Sequence, residues 1–188
     1  METSKELLLS SITQFYEKNQ CYKNLLDTII EGKYPISLRV IDWFITHYAK
    51  EHNILFWINL NNQKIIEVPS EYGPNLKKFS VYLEYRAQLK SYTKLFFDPF
   101  RRHERISFIV TKKPLKTCET TIGQLNFFRW IFQHHILNYI QNHLEDIERS
   151  MTQYQSSKKE SIKPKTKKQS RVIPNNTITQ TKCFLRFD

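Results

Sequence analysis

Between Val81 and Val110 the chain reads VYLEYRAQLKSYTKLFFDPFRRHERISFIV, and Asp98-Pro99 lies in its middle. Proline pushes the residue before it toward extended backbone, so a helix arriving here must stop near Phe97. One does arrive. Tyr82, Tyr85, Leu89, Tyr92 and Phe96 recur at steps of three and four, which predicts an aromatic stripe along one helix side. Arg86, Lys90 and Lys94 step by four and predict a parallel basic row. Beyond the corner come Arg101, Arg102, His103, Glu104 and Arg105, and then the alternation of Ile106, Phe108 and Val110, which predicts a strand. Phe100 is expected to anchor the corner in the core while Arg101 and Arg102 extend outward. The alternative pairs these arginines inside the fold with Asp98, Glu84 or Glu104.

The remaining composition bounds what can surround this stretch. A chain of 188 residues with 40% apolar residues can fill one core, and thirteen Phe, ten Tyr and three Trp make that core aromatic. Only Gly32, Gly73 and Gly123 occur, so neither a P-loop nor a dinucleotide fingerprint is present. The net charge of +11 points to polyanions, nucleic acid or an acidic membrane surface, unless it reflects a basic tail alone. Cys21, Cys118 and Cys183 form neither a disulfide framework nor a zinc spacing and fit a reducing compartment. The N-terminal METSKELLLSS does not read as a signal peptide, and no apolar run approaches the ~18 residues of a membrane span.

Residues 3 to 31 read as one or two helices, with Asn19-Gln20 a break or an exposed turn, and Gly32 as the C-terminal stop. Pro35 to His52 is a second helical unit built on Ile41, Phe44, Ile45 and Tyr48. Ile54 to Leu60 reads as a central strand, followed through Asn61-Asn62 by a hairpin partner at 64–68. Ser70 to Lys78 reads as a loop, and Lys112 to Lys116 as a basic connector. Thr121 with Gln124 matches a capping box that opens a helical block to Gln153, ~50 Å long if unbroken. Leu137, Ile140, Leu144, Ile147 and Met151 keep one apolar side, which either packs on the N-terminal helices or binds a protein partner through residues 137–151.

Residues 156–188 hold nine basic residues and two acids, which is +7 of the total charge. This segment reads as a disordered basic tail after a single domain of residues 1–155. Lys165, Lys167 and Lys168 fit a phosphate-binding arm or a nuclear import signal. The apolar end at 183–187 is either a docking peptide or a segment that folds back. The fold expected is α+β: helices packed with a small antiparallel sheet from 54–60, 64–68 and 105–111, a long C-terminal helical block and the tail.

For chemistry, His134 and His135 point to different sides and His143 lies further on, so no metal or other cofactor is expected. A nuclease would need Asp98, Glu104 and Glu84 to converge on a divalent ion. Without such a convergence the chain reads as non-enzymatic. The basic set is Arg86, Lys90, Lys94, Arg101, Arg102, Arg105, Lys112 and Lys113, with the tail lysines. Arginine forks and lysine tips of this kind favour phosphate-backbone contacts with little base reading.

Two segments, YRAQLKSYTKLFFDPFRRHERI and ETTIGQLNFFRWIFQHHILNYI, resemble the hallmark stretches of a small uncharacterised protein family of large nucleocytoplasmic DNA viruses. The matching positions are Tyr85, Leu89, Lys90, Tyr92, Lys94, Phe97 to Arg102, Glu104 and Arg105, then Thr120, Thr121 and Gly123 to Phe128. A cysteine commonly follows Asp-Pro-Phe in the family. Arg101 stands there in this chain, which puts a thiol-based role in doubt. The resemblance covers roughly residues 79 to 150 and implies a viral protein of the infected-cell cytoplasm or the virion. The expected function is a non-enzymatic accessory protein associated with nucleic acid in genome packaging, replication or transcription. The rivals are a virion assembly scaffold and a cryptic nuclease.

Overall fold

The computed structural model describes residues 3–161. Helix α1 (Ser4–Lys18) begins on a capping box, with Glu6 Oε2 accepting from Thr3 N at 2.7 Å and Thr3 Oγ1 accepting from Glu6 N at 3.3 Å. Asn19, at φ −128° and ψ 72°, breaks the chain before α2 (Gln20–Ile30), so the N-terminal segment is two helices and Asn19-Gln20 is the break between them. Gly32 ends α2 at φ +69°, with Gly32 N donating to Ile29 O and Lys33 N to Thr28 O. That bond pair is a Schellman motif, and its left-handed residue carries no Cβ penalty as glycine. The second helical unit comprises α3 (Leu38–Trp43), a π-helical turn (Phe44–Tyr48) and α4 (Ala49–Glu51).

The fold is α+β, but its strands pair differently from the expectation. β1 (Leu55–Asn59) is the central strand of a three-stranded antiparallel sheet in the order β2-β1-β3. β2 (Ile65–Ile66) is its hairpin partner, with Trp57 opposite Ile66. The other neighbour is β3 (Leu76–Ser80), which lies partly in the stretch expected to be loop. Only Phe79 of β3 is fully buried, opposite Phe56, so the strand carries almost no alternation. Lys77 and Lys78 are exposed on this edge strand, where charge discourages pairing with another chain. β4 (Ile106–Lys112) does not join that sheet. It forms its own hairpin with β5 (Leu115–Thr120) through a turn at Lys113-Pro114, so the expected basic connector is a turn and a strand.

The β4–β5 hairpin packs on the N-terminal helices. Phe108 meets Tyr16 edge-on at 5.5 Å, and Gln20 Nε2 donates to Val110 O at 3.2 Å. Lys116 pairs with Asp27 and, at 2.9 Å, with Glu31. Helix α5 (Val81–Phe96) carries the aromatic stripe, which is half-buried against the core. Thr93, at φ +57°, kinks it one turn before its end. Helix α6 (Ile122–Gln133) packs against both α1 and α5 and is buried nearly all round, with Leu125, Phe127, Phe128 and Ile131 at 0% exposure. Tyr16 Oη donates to Leu125 O at 3.0 Å inside this core.

The expected long helix is three helices: α6, α7 (Ile136–Asn142) and α8 (Leu144–Ser161). His135 at φ +55° makes the first break, and histidine is among the side chains that tolerate left-handed backbone. The second break is at His143, whose Nε2 lies 2.7 Å from Glu67 Oε1. Leu137, Ile140 and Ile147 are buried, with α8 packed against α3 and the π-turn, so the fold itself occupies most of the apolar side offered to a partner. Helix α8 continues through Ser161, past the expected start of the tail at 156. Lys165, Lys167, Lys168 and the 183–187 peptide lie outside the described residues.

Candidate functional site

The proline corner and the start of α6 are built to hold one another. Phe97 is 1% exposed and touches four rings: Tyr85, Tyr92, Phe127 and Trp130, at centroid distances of 5.4 to 6.3 Å. Asp98 Oδ1 accepts from Phe100 N at 2.8 Å, an Asx-type turn that Pro99 stiffens. Helix α6 supplies the other half. Thr121 caps it by accepting from Gln124 N at 3.1 Å, as the capping-box pattern predicts. The Gln124 side chain does not close the box. Its Nε2 donates to Pro99 O at 3.1 Å, and its Oε1 accepts from Thr120 Oγ1 at 2.7 Å. Asn126, 1% exposed, donates from Nδ2 to Phe96 O at 2.9 Å and accepts from Arg129 at 2.6 Å. Gln124 and Asn126 thus tie the corner's backbone to the helix at two points, which stops the corner from sliding on the helix.

Gly123 permits the seam. A Cβ there would lie 3.1 Å from Leu95 O and 3.3 Å from Asp98 N, backbone atoms that cannot swing aside. The Phe-Asp-Pro-Phe and Thr-Thr-x-Gly-Gln-Leu-Asn-Phe-Phe stretches, which carry the family resemblance, are therefore the two faces of one joint. Gln124, Gly123, Asn126 and Thr120 were not among the expected site residues. The motif itself was the signal that could have found them, because a glycine followed by amides at a helix start suits a close backbone approach.

The joint determines where the arginines stand. Phe100 does not anchor the corner: it is 46% exposed, and Phe97 takes that role because Pro99 turns the chain outward after it. Phe100, Arg101, Arg102 and Arg105 line a cleft of about 240 Å³ with Thr120, Thr121 and Gln124, and with Ile30 of α2 and Leu38 of α3. Arg101 is half-buried and Arg102 exposed, and among the described residues neither has an acidic partner. The interior pairing with Asp98, Glu84 or Glu104 does not occur. Glu104 pairs with Lys5 at 3.2 Å, and Arg105 pairs with Glu119 across the hairpin base at 3.0 Å. Both pairs are solvent-exposed and contribute ~0–1 kcal/mol each.

The other expected basic residues do not all gather at the cleft. Arg86 and Lys90 are exposed on α5, with Arg86 Nη1 3.5 Å from Tyr82 Oη. Lys94 follows the Thr93 kink, so it leaves the four-residue row. Lys112 pairs with Glu17 at 3.4 Å and lines a different groove with Leu9 and Phe108. Lys113 is exposed in the hairpin turn. Among the described residues no three His, Cys, Asp or Glu side chains gather where they could hold one metal ion.

Acidic groups lie behind the corner. Burial, with the charge of Asp98 second, pushes the Asp42 carboxyl up to about 6. Burial also raises the Tyr85 phenol to about 12, with Asp42 and then Asp98 adding to it. Cys118 is buried and its thiol is pushed up to about 11, the opposite of nucleophile activation.

Residues 2–183 match a family model described as a family of unknown function (DUF7197). An "Uncharacterized protein L507" of Acanthamoeba polyphaga mimivirus is 34% identical over 178 residues. The aligned region is 93% of this chain and 63% of that protein, so the chain spans less than two thirds of its relative's length. No solved structure matches. The giant-virus resemblance read from the two motifs is borne out, and it extends over nearly the whole chain.

Proposed function

The chain belongs to the family of unknown function DUF7197, with a relative in a giant virus, and from that premise we propose that it is a non-enzymatic accessory protein that associates with nucleic acid. The association runs through phosphate contacts at the arginine-lined cleft, with the tail lysines adding charge. It serves genome packaging, replication or transcription in the infected-cell cytoplasm or the virion.

One observation supports this reading above the others. Arg101 and Arg102 line a concave surface on a corner held rigid by the α6 joint, and among the described residues neither forms an ion pair; Glu119, the acidic residue of the same lining, is paired with Arg105. Guanidinium groups placed this way have their donors free to fork to phosphate oxygens. Arg105, by contrast, has its guanidinium engaged by Glu119.

The test is a salt titration of binding to an unspecific oligonucleotide. Log affinity should fall linearly with log salt, at ~0.9 per phosphate contact on duplex or ~0.7 on single strands. Arg101→Ala with Arg102→Ala should lower that slope by up to ~2 contacts while leaving the melting temperature within ~2 °C. Absence of binding at low salt overturns the proposal. A large melting drop with unchanged affinity per folded molecule would assign the arginines to the architecture.

A further inference from the structure

We infer that the cleft at the proline corner takes an unpaired nucleotide, with its base stacked on Phe100 and its phosphates on Arg101 and Arg102. This rests on the nucleic-acid reading above and adds to it the form of nucleic acid and the residue that selects it. The geometry has three parts. The first is shape. The cleft holds about 240 Å³ and opens to solvent. Such a space is on the scale of one flat ring with its phosphate and too small to enclose a folded domain or a helix.

The second part is the ring. Phe100 is 46% exposed and borders the cleft beside the two uncommitted arginines. Among the described residues no other aromatic ring packs against it, whereas Phe97 three residues earlier meets four. A large apolar ring beside free guanidinium groups is the combination that single-strand binders use: charge follows the backbone and a π-face receives the base. Ile30 and Leu38 extend the apolar lining.

The third part is rigidity. Phe100 N is held by Asp98 Oδ1 at 2.8 Å, and Pro99 O by Gln124 at 3.1 Å. The ring is therefore presented on a backbone that loses little freedom when a base lands on it. A duplex makes poor use of this arrangement. Its bases are turned inward and stacked, so a convex duplex would meet the arginines with phosphates and leave Phe100 uncovered.

The experiment uses the full chain, so that the tail is the same in every variant. Fluorescence anisotropy measures binding at one salt concentration to three probes: a single-stranded oligonucleotide, the matching duplex, and an abasic strand of equal length. The single strand should bind at least tenfold tighter than the abasic strand, and tighter than the duplex. Phe100→Ala should weaken single-strand binding roughly 5- to 150-fold, the range of one lost base stack, and leave duplex and abasic affinities unchanged. Phe100→Trp should keep the preference and quench its indole fluorescence on binding. Equal affinity for strand and duplex, with no effect of Phe100→Ala, overturns the stacking inference while leaving the phosphate reading intact. Failure of all three probes to bind at low salt removes both.

Discussion

Two phenylalanines three residues apart give the sharpest stability test. Phe97 and Phe100 flank the same proline, and sequence alone favoured Phe100 as the anchor. The structure reverses this, with 1% exposure at Phe97 against 46% at Phe100. Removing the Phe97 ring forfeits ~150–200 Å² of buried apolar surface, or ~4–5 kcal/mol at ~25 cal/mol/Å². The neighbouring rings of Phe127 and Trp130 belong to a helix wedged between α1 and α5, so the cavity cannot collapse freely. Phe97→Ala should therefore cost ~3–5 kcal/mol. For a domain of this size that lowers the melting temperature by ~6–20 °C. Phe100→Ala should cost ~1 kcal/mol or less, because nearly half of its ring is already in water. Parallel urea melts of the two variants give the comparison. A loss at Phe97 below ~1.5 kcal/mol, or an equal loss at Phe100, would refute the placement of the corner.

Gly123→Ala sets a helix-propensity gain of ~0.5–1 kcal/mol against a Cβ 3.1 Å from Leu95 O. The clash should win by ~1–2 kcal/mol in a thermal melt, and a stabilised variant would refute the tight joint. Asp42 holds its proton more tightly when folded, at about 6 against its ordinary 3.8, so it destabilises the native state as pH rises through that window. The shift corresponds to ~3 kcal/mol, reduced to ~1–2 by solvent screening of a half-buried group. Asp42→Asn should thus stabilise the protein by ~1–2 kcal/mol at pH 7.5 and hardly at all at pH 3.5. Urea denaturation at the two pH values reads the difference, and equal effects at both would exclude a raised carboxyl.

Much of the helical architecture was legible because helices bury a periodic face. The stripes on α1, α2, α3 and α5 all reach the core, and Gly32 and Thr121 cap where glycine and threonine ordinarily do. The sheets were less legible. β3 buries a single phenylalanine fully and shows two lysines to solvent, so no alternation marks it. The partner of β4 carries Lys116 and exposed Leu115 and Thr117, a pattern that fits a connector equally well. The breaks at His135 and His143 have neither glycine nor proline to announce them.

The sequence by itself determined the amphipathic faces, the stop at Pro99 and the basic character of the corner, because helix period, proline sterics and charge are local properties. It also determined family membership through two motifs whose purpose was not visible in either one alone. Tertiary structure decided that those motifs meet, since only the folded chain brings Gln124 to Pro99 and Asn126 to Phe96. It decided which phenylalanine is buried and which is presented. It also separated Arg101 and Arg102, which form no ion pair among the described residues, from Arg105 and Lys112, which found Glu119 and Glu17. Pairing and burial depend on which surfaces come together across 25 or 95 residues of chain, and no periodicity within a single element records that.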